Sequence, residues 1–233
     1  SAPDVFDSFD KVAADPASAG DLAQELFSPN SDFRWSWREL TYYRVVRKDQ
    51  YAARFQHFAQ FYSNFYGASA GYPSEPQDQW HIFDFPTVPL SIVCFTGCPN
   101  TAPLRRMAPI DPRAVTAATR ALRDPKRSGY LLAAAWHHST QGGPSQDDYL
   151  DSQVLQVRIE AGGSLACHGH QHTTDCIDER FRLGPRPRKM TLISAGTLCA
   201  GARDLIPGVA RSFNVVEVDT EALTGRVHKR NMV

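Results

Sequence analysis

The sequence predicts an α/β layered domain accompanied by a helical, aromatic-rich segment, and three observations carry that expectation. Two nearly unbroken apolar runs, Leu90-Ser-Ile-Val-Cys-Phe95 and Tyr130-Leu-Leu-Ala-Ala-Ala-Trp136, have the length and composition of strands buried on both faces. Between them, Asp111-Pro112 places an N-cap residue before a proline at the first helical position, so a helix is expected from Pro112 to Leu122. Histidines end two successive strands of this series: His137-His138 follow the second run, and a third short strand closes in Leu165-Ala-Cys-His-Gly-His-Gln-His172. Strand, helix and strand in alternation indicate layered packing, and chemically active groups at strand ends fit the tendency of ligands to bind beyond carboxyl edges.

Taken in order, the chain opens with Ala, Asp, Ser and Pro; a short helix is expected over Asp21 to Phe27, with no buried strand before it. Residues 1–86 are expected to form the helical, aromatic-rich cap or insert. Within them Tyr51, Phe55, Phe58, Tyr62 and Phe65 recur at steps of four, three, four and three, the spacing of one helical face. Gly67 is placed to end that helix. Such a stripe is expected to be a packing face, with a ligand-lining cap helix as the other reading. Trp80 to Phe85 reads as a strand stopped by Pro86 and Pro89. Residues 87–233 carry the α/β domain. After Trp136, Asp148 to Ala161 reads as a helix ended by Gly162-Gly163, and Met190-Thr-Leu-Ile-Ser194 and Phe213-Asn-Val-Val-Glu-Val-Asp219 read as strands. Ala195-Gly196 and Leu223-Thr-Gly225 read as turns.

Composition excludes several classes. With 233 residues, 42% apolar and 21% charged, the chain is an ordinary globular protein rather than a disordered one. Its 25 basic and 25 acidic residues cancel, so no pervasive field for nucleic acid or anionic membrane is expected. The local run Arg180, Arg182, Arg186, Arg188 and Lys189 leaves nucleic acid open as a partner, although solvated surface is the simpler reading. No apolar run reaches the ~18–20 residues of a membrane span, and no signal-peptide pattern opens the chain, so a cytoplasmic protein is expected. The five cysteines, Cys94, Cys98, Cys167, Cys176 and Cys199, form no small-scaffold pattern and are expected to be reduced.

The densest chemical signal is the histidine segment. In extended backbone, His168, His170 and His172 would project to one side, with Cα atoms two apart separated by roughly 6–7 Å. Imidazoles so spaced can reach one metal, or two metals lying about 3.5–4 Å apart. Imidazole suits zinc, iron and manganese alike, so the histidines alone do not name the ion.

Ala135-Trp-His-His138 followed by Gly169-His-Gln-His172, with Ser194-Ala-Gly196 and the strand Phe213 to Asp219, resembles the C-terminal half of a calcineurin-like metallophosphoesterase. The resemblance extends from Tyr130 to Asp219 and is weaker over Tyr51 to Cys98. It implies that the α/β domain is part of a layered α-β-β-α sandwich. It implies a hydrolase of phosphoesters using two divalent transition metals, manganese, iron or zinc. His137 and His170 match ligands to one metal, and His172 a ligand to the other. His138 falls on the substrate side, as the catalytic candidate, and His168 behind the ligands. The substrate implied is a phosphorylated small molecule or a phosphodiester.

The family's Asp-x-His and Asn-His motifs do not occur in the chain, and its sole Gly-Asp, Gly20-Asp21, lies in the expected N-terminal helix. The expectation is therefore a chain that begins downstream of those motifs, holds a partial site, and is weakly active or inactive alone. A sheet lacking its first strands would expose an edge, so a homodimer through that edge is expected. Two other readings stand beside this one: a structural zinc site closed by Cys167, His168, His170, His172 and Cys176, and a non-catalytic interaction domain that uses the aromatic helix as its contact face.

Overall fold

The computed structural model describes residues 5–13, 19–26, 31–36, 39–67, 71–97, 110–139, 163–181, 188–201, 205, 207–222 and 224–232. The expected helix over Asp148 to Ala161 lies outside them, as do Cys98, Arg182 and Arg186. The described residues divide into two compact units between Pro73 and Ser74.

The N-terminal unit is built on three short strands, β1 (Phe9–Val12), β2 (Phe33–Ser36) and β3 (Thr41–Val45), antiparallel in the order β1-β3-β2. It also holds α1 (Ala19–Leu26), α2 (Lys48–Ala52) and, after a single 3-10 turn, α3 (Gln56–Tyr66). Phe9 and Val45 form its small core, with Tyr43 and Tyr51 packed alongside. Arg34, 5% exposed, lies within this unit, where its guanidinium donates to the carbonyls of Ser31 and Phe33 and to the Tyr51 hydroxyl.

Residues 1–86 are thus not simply helical, because β1, β2, β3 and a further strand, β4 (Trp80–Phe85), lie among them. The aromatic and β-branched residues Phe33, Trp35, Tyr42, Tyr43 and Val45 favour a pleated, half-buried surface. Four- and five-residue strands are too short for alternation to announce them. Gly67 does end α3, at φ 98°. The aromatic stripe, however, is a packing face only in part. Tyr51, Phe55 and Tyr62 are half-buried, whereas Phe58, Phe61, Phe65 and Tyr66 are 50–68% exposed and lie against one another along the helix.

The C-terminal unit has mixed α/β content around a six-stranded sheet. Its strands are β4, β5 (Leu90–Phe95), β6 (Leu131–Ala135), β7 (Leu165–His168), β8 (Asp175–Phe181) and β9 (Arg188–Ser194), in the order β4-β5-β6-β7-β9-β8. The four central strands run parallel, and β4 and β8 are antiparallel edges. One register row, Ile82, Val93, Ala134, Ala166, Leu192 and Ile177, crosses all six strands. On this face packs α4 (Pro112–Leu122), through Ala114, Val115, Ala118 and Leu122. The alanines of the middle strands let the helix approach closely. At its start the Asp111 carboxylate accepts from the Arg113 amide over 2.8 Å, as its N-cap position requires.

Below the opposite face, β10 (Ser212–Asp219) and β11 (Thr224–Asn231) form a separate two-stranded hairpin. A cavity of about 580 Å³ lies between, lined by Leu165, Ile193, Val216 and Val227 among others. The turn read over Leu223 to Gly225 joins this hairpin, but β11 and β8 carried no alternation that would have marked them in advance. Their outward positions hold Arg, Lys, Glu and Asp, which read as surface. Among the described residues no helix is long and apolar enough to cross a membrane.

Candidate metal centre

The site forms where two parallel neighbours end. β6 and β7 pair Ala135 with Cys167, so the next residues, Trp136 and His168, come level, and His137 meets Gly169 beyond them. The ladder continues past the strands: Trp136 N donates to Cys167 O over 3.1 Å, and Gly169 N to His137 O over 2.9 Å. The loops carrying His137-His138 and His170 are therefore held at one edge by backbone bonds.

In this arrangement His137, His138 and His170 bring one ring nitrogen each to within 4.8 Å of one another. The His170 Nδ1 and His137 Nε2 atoms lie 3.3 Å apart. Zinc–nitrogen bonds of about 2.0–2.1 Å at tetrahedral angles put adjacent ligand nitrogens about 3.3–3.4 Å apart, so this pair has the spacing of two ligands to one ion. His138 and His170 approach to 4.6 Å between ring centroids, and His137 and His138 to 4.8 Å. Burial lowers the His137 pKa, and the neighbouring His170 and His172 lower it further. A depressed value keeps the ring neutral, the form that donates a lone pair to a metal.

The three alternating histidines do not project together. Extended backbone ends at His168; His170 and His172 both take left-handed conformations, at φ 72° and 56°. The Gln171 amide closes a tight turn around His170 by donating to Gly169 O over 2.9 Å. Positive φ in non-glycine residues is costly and clusters at functional sites. Here it swings the His170 ring towards His137. His168 instead points to the helix-covered face, 8% exposed and stacked on Trp136 at 6.3 Å and 8°. Burial pushes its pKa down as well, and its Nδ1 lies 3.3 Å from Gly169 O. His172 is half-buried and outside the three-histidine cluster.

The cysteines do not join. Cys167 and Cys176 both pair with Ile193, from opposite sides, which separates them by two strand spacings of about 4.8 Å each. One tetrahedral ion cannot bridge that gap. The four described cysteines are free thiols, and burial raises the pKa of Cys94, Cys167 and Cys176. Among the described residues the histidine cluster contains no carboxylate. Asp175, at the start of β8, lines a small polar pocket with His168, Ser139, Gln171 and Ser194 behind the histidines.

That pocket contains groups the sequence did not single out. Ser139 and Ser194 are 3% and 2% exposed, and the order of residues offers no periodic or motif signal for a buried serine. The basic run is also differently placed: Lys189 pairs with Asp178 at 3.0 Å across β8 and β9, so part of it is a cross-strand ion pair. No family model and no curated protein matches the chain.

Proposed function

We propose that this chain contributes the histidine half of a metal-dependent phosphoester hydrolase of the calcineurin-like kind, with its α/β unit as part of an α-β-β-α sandwich. The observation that carries the reading is the 3.3 Å approach of His170 Nδ1 to His137 Nε2 at adjacent ends of parallel strands. His137 and His170 would hold one divalent transition metal, manganese, iron or zinc, and His172 a second. Such ions supply Lewis-acid polarisation of phosphoryl oxygens and acidify water at neutral pH. His138, beside both ligands, is placed to contact the substrate and donate a proton towards a phosphoryl or leaving-group oxygen. The substrate is a phosphorylated small molecule or a phosphodiester.

Three neutral imidazoles supply no negative charge to offset divalent ions. The chain by itself is therefore expected to bind metal weakly and to hydrolyse slowly or not at all. The structural-zinc alternative loses its cysteines to the two-strand separation described above. An interaction role for the aromatic helix draws support from the exposure of Phe61 and Phe65, 60% and 68%. A homodimer through a sheet edge draws support from Phe83 and Phe85, 48% and 45% exposed on the edge strand β4. Light scattering that gives a monomer across a wide concentration range would remove the dimer.

The deciding experiment titrates the chain with Mn²⁺ and Zn²⁺ by calorimetry, alongside His137→Ala and His170→Ala. Saturable binding that either substitution abolishes supports the centre. Absence of binding, or binding indifferent to both substitutions, would overturn it. Hydrolysis of a chromogenic phosphodiester, measured in parallel, reports how much activity this chain sustains.

A further inference from the structure

We propose that Ser194 is a positioning residue for the histidine loop, acting through its hydroxyl bond to the Thr173 carbonyl. This rests on reading His137 and His170 as metal ligands. Ser194 is the last residue of β9, 2% exposed, and its Oγ donates to Thr173 O over 2.8 Å. Its own carbonyl accepts from Asn214 Nδ2 of β10 at 2.9 Å. The next amide, Ala195 N, donates to His168 O at 2.9 Å. Thr174 Oγ1 and Ser212 Oγ, 1% exposed as a residue, lie 3.3 Å apart and tie the following position to the same strand.

The segment from Gly169 to Thr174 is thereby gripped at both ends. Its start is held by the Gly169 amide on His137 O, and its end by Ser194 and Ser212. Between the grips lie the two left-handed histidines, each a conformation that an untethered L-residue leaves for one roughly 1–2 kcal/mol lower. Gly196 shows how closely β10 presses on this clamp: a Cβ there would fall 2.1 Å from Ser212 Oγ and 2.7 Å from its carbonyl oxygen. Ser194 touches no ring nitrogen of the cluster. Its effect is to fix where the backbone of the loop ends, and so where the His170 and His172 rings begin.

The test uses the full chain with Ser194→Ala and Asn214→Ala. It reads the Zn²⁺ dissociation constant by competition with a chromophoric chelator, and the exchange rate of the Gln171 amide by nuclear magnetic resonance. Supporting groups of this kind typically contribute 10–100-fold to metal affinity. Both variants should weaken Zn²⁺ binding by about tenfold or more and speed Gln171 exchange, with the Val93 amide in the sheet still protected. An unchanged dissociation constant together with unchanged Gln171 exchange overturns the proposal. If the wild-type chain binds no Zn²⁺, the metal reading falls and Gln171 exchange alone decides the clamp. If Ser194→Ala does not fold, Asn214→Ala carries the test. If neither folds, the network is a folding element and the positioning role is wrong.

Discussion

The Gly169 amide donates to the His137 carbonyl over 2.9 Å, and that bond extends the β6–β7 ladder into the loops where the histidines meet. A one-residue slip in this pairing would turn His137 to the other face of the sheet. The same register places Trp136 on His168, so the ring that seals the core and the rings that converge outside it are set by one alignment.

Two glycines near this junction should respond differently to alanine. A Cβ on Gly169 would meet His137 no closer than 3.6 Å, an ordinary contact, whereas on Gly196 it would collide with Ser212 backbone and side chain. Gly169→Ala is expected to change stability by less than about 1 kcal/mol. Gly196→Ala is expected to cost about 2–3 kcal/mol, because backbone on both sides must shift. Urea unfolding of both variants checks the contrast; equal midpoints would refute it.

The second prediction concerns acid. Arg127 Nε and Nη2 donate to the two Asp84 oxygens at 2.7 Å each, and Ser91 Oγ donates to Asp84 Oδ1 at the same distance. These bonds, that of Arg127 first, hold the Asp84 pKa down to about 2. An aspartate with its folded pKa depressed stabilises above the unfolded value of 3.8, and that contribution disappears as pH falls through 3.8 towards about 2. Asp84 is 30% exposed, so solvent screening limits the pair to about 1 kcal/mol. Asp84→Asn should lose that amount at pH 7 and show a flatter stability profile between pH 4 and 2 in chemical denaturation.

Histidine burial gives a third pH dependence, of its own sign. His137 and His168 both have pKa values pushed below 6.5, chiefly by burial. Below 6.5 the unfolded chain takes up protons that these folded rings refuse, so stability present above that pH is lost as pH falls through the depressed values. Thermal unfolding should therefore occur at lower temperature at pH 5 than at pH 8. His168→Gln should reduce the difference, and an unaltered difference would exclude His168 as a source.

Exposure separates the aromatic helix from the core. Phe65, 68% exposed, should tolerate serine within about 0.5 kcal/mol, a surface-sized effect. Met190, fully buried in the main cluster, should cost about 2–5 kcal/mol as alanine. Melting temperatures of the two variants would show the difference directly.

Local order in the amino-acid sequence by itself determined the apolar strands at 90–95 and 131–135, the proline-led helix at 112–122, and the placement of His137-His138 and His168 to His172 at strand ends. These follow from short-range chemistry: an apolar run, a cap, a glycine. Which histidines meet was decided by tertiary structure. Parallel pairing between chain segments some thirty residues apart aligned Ala135 with Cys167. Left-handed turns at His170 and His172 then broke the alternation that would have put three rings on one side. Those turns are unfavourable locally, and the bonds that hold them come from Ser194 and Ser212, on β9 and β10. Local pattern cannot report such support, because the energy that selects the conformation arises only when distant strands have packed.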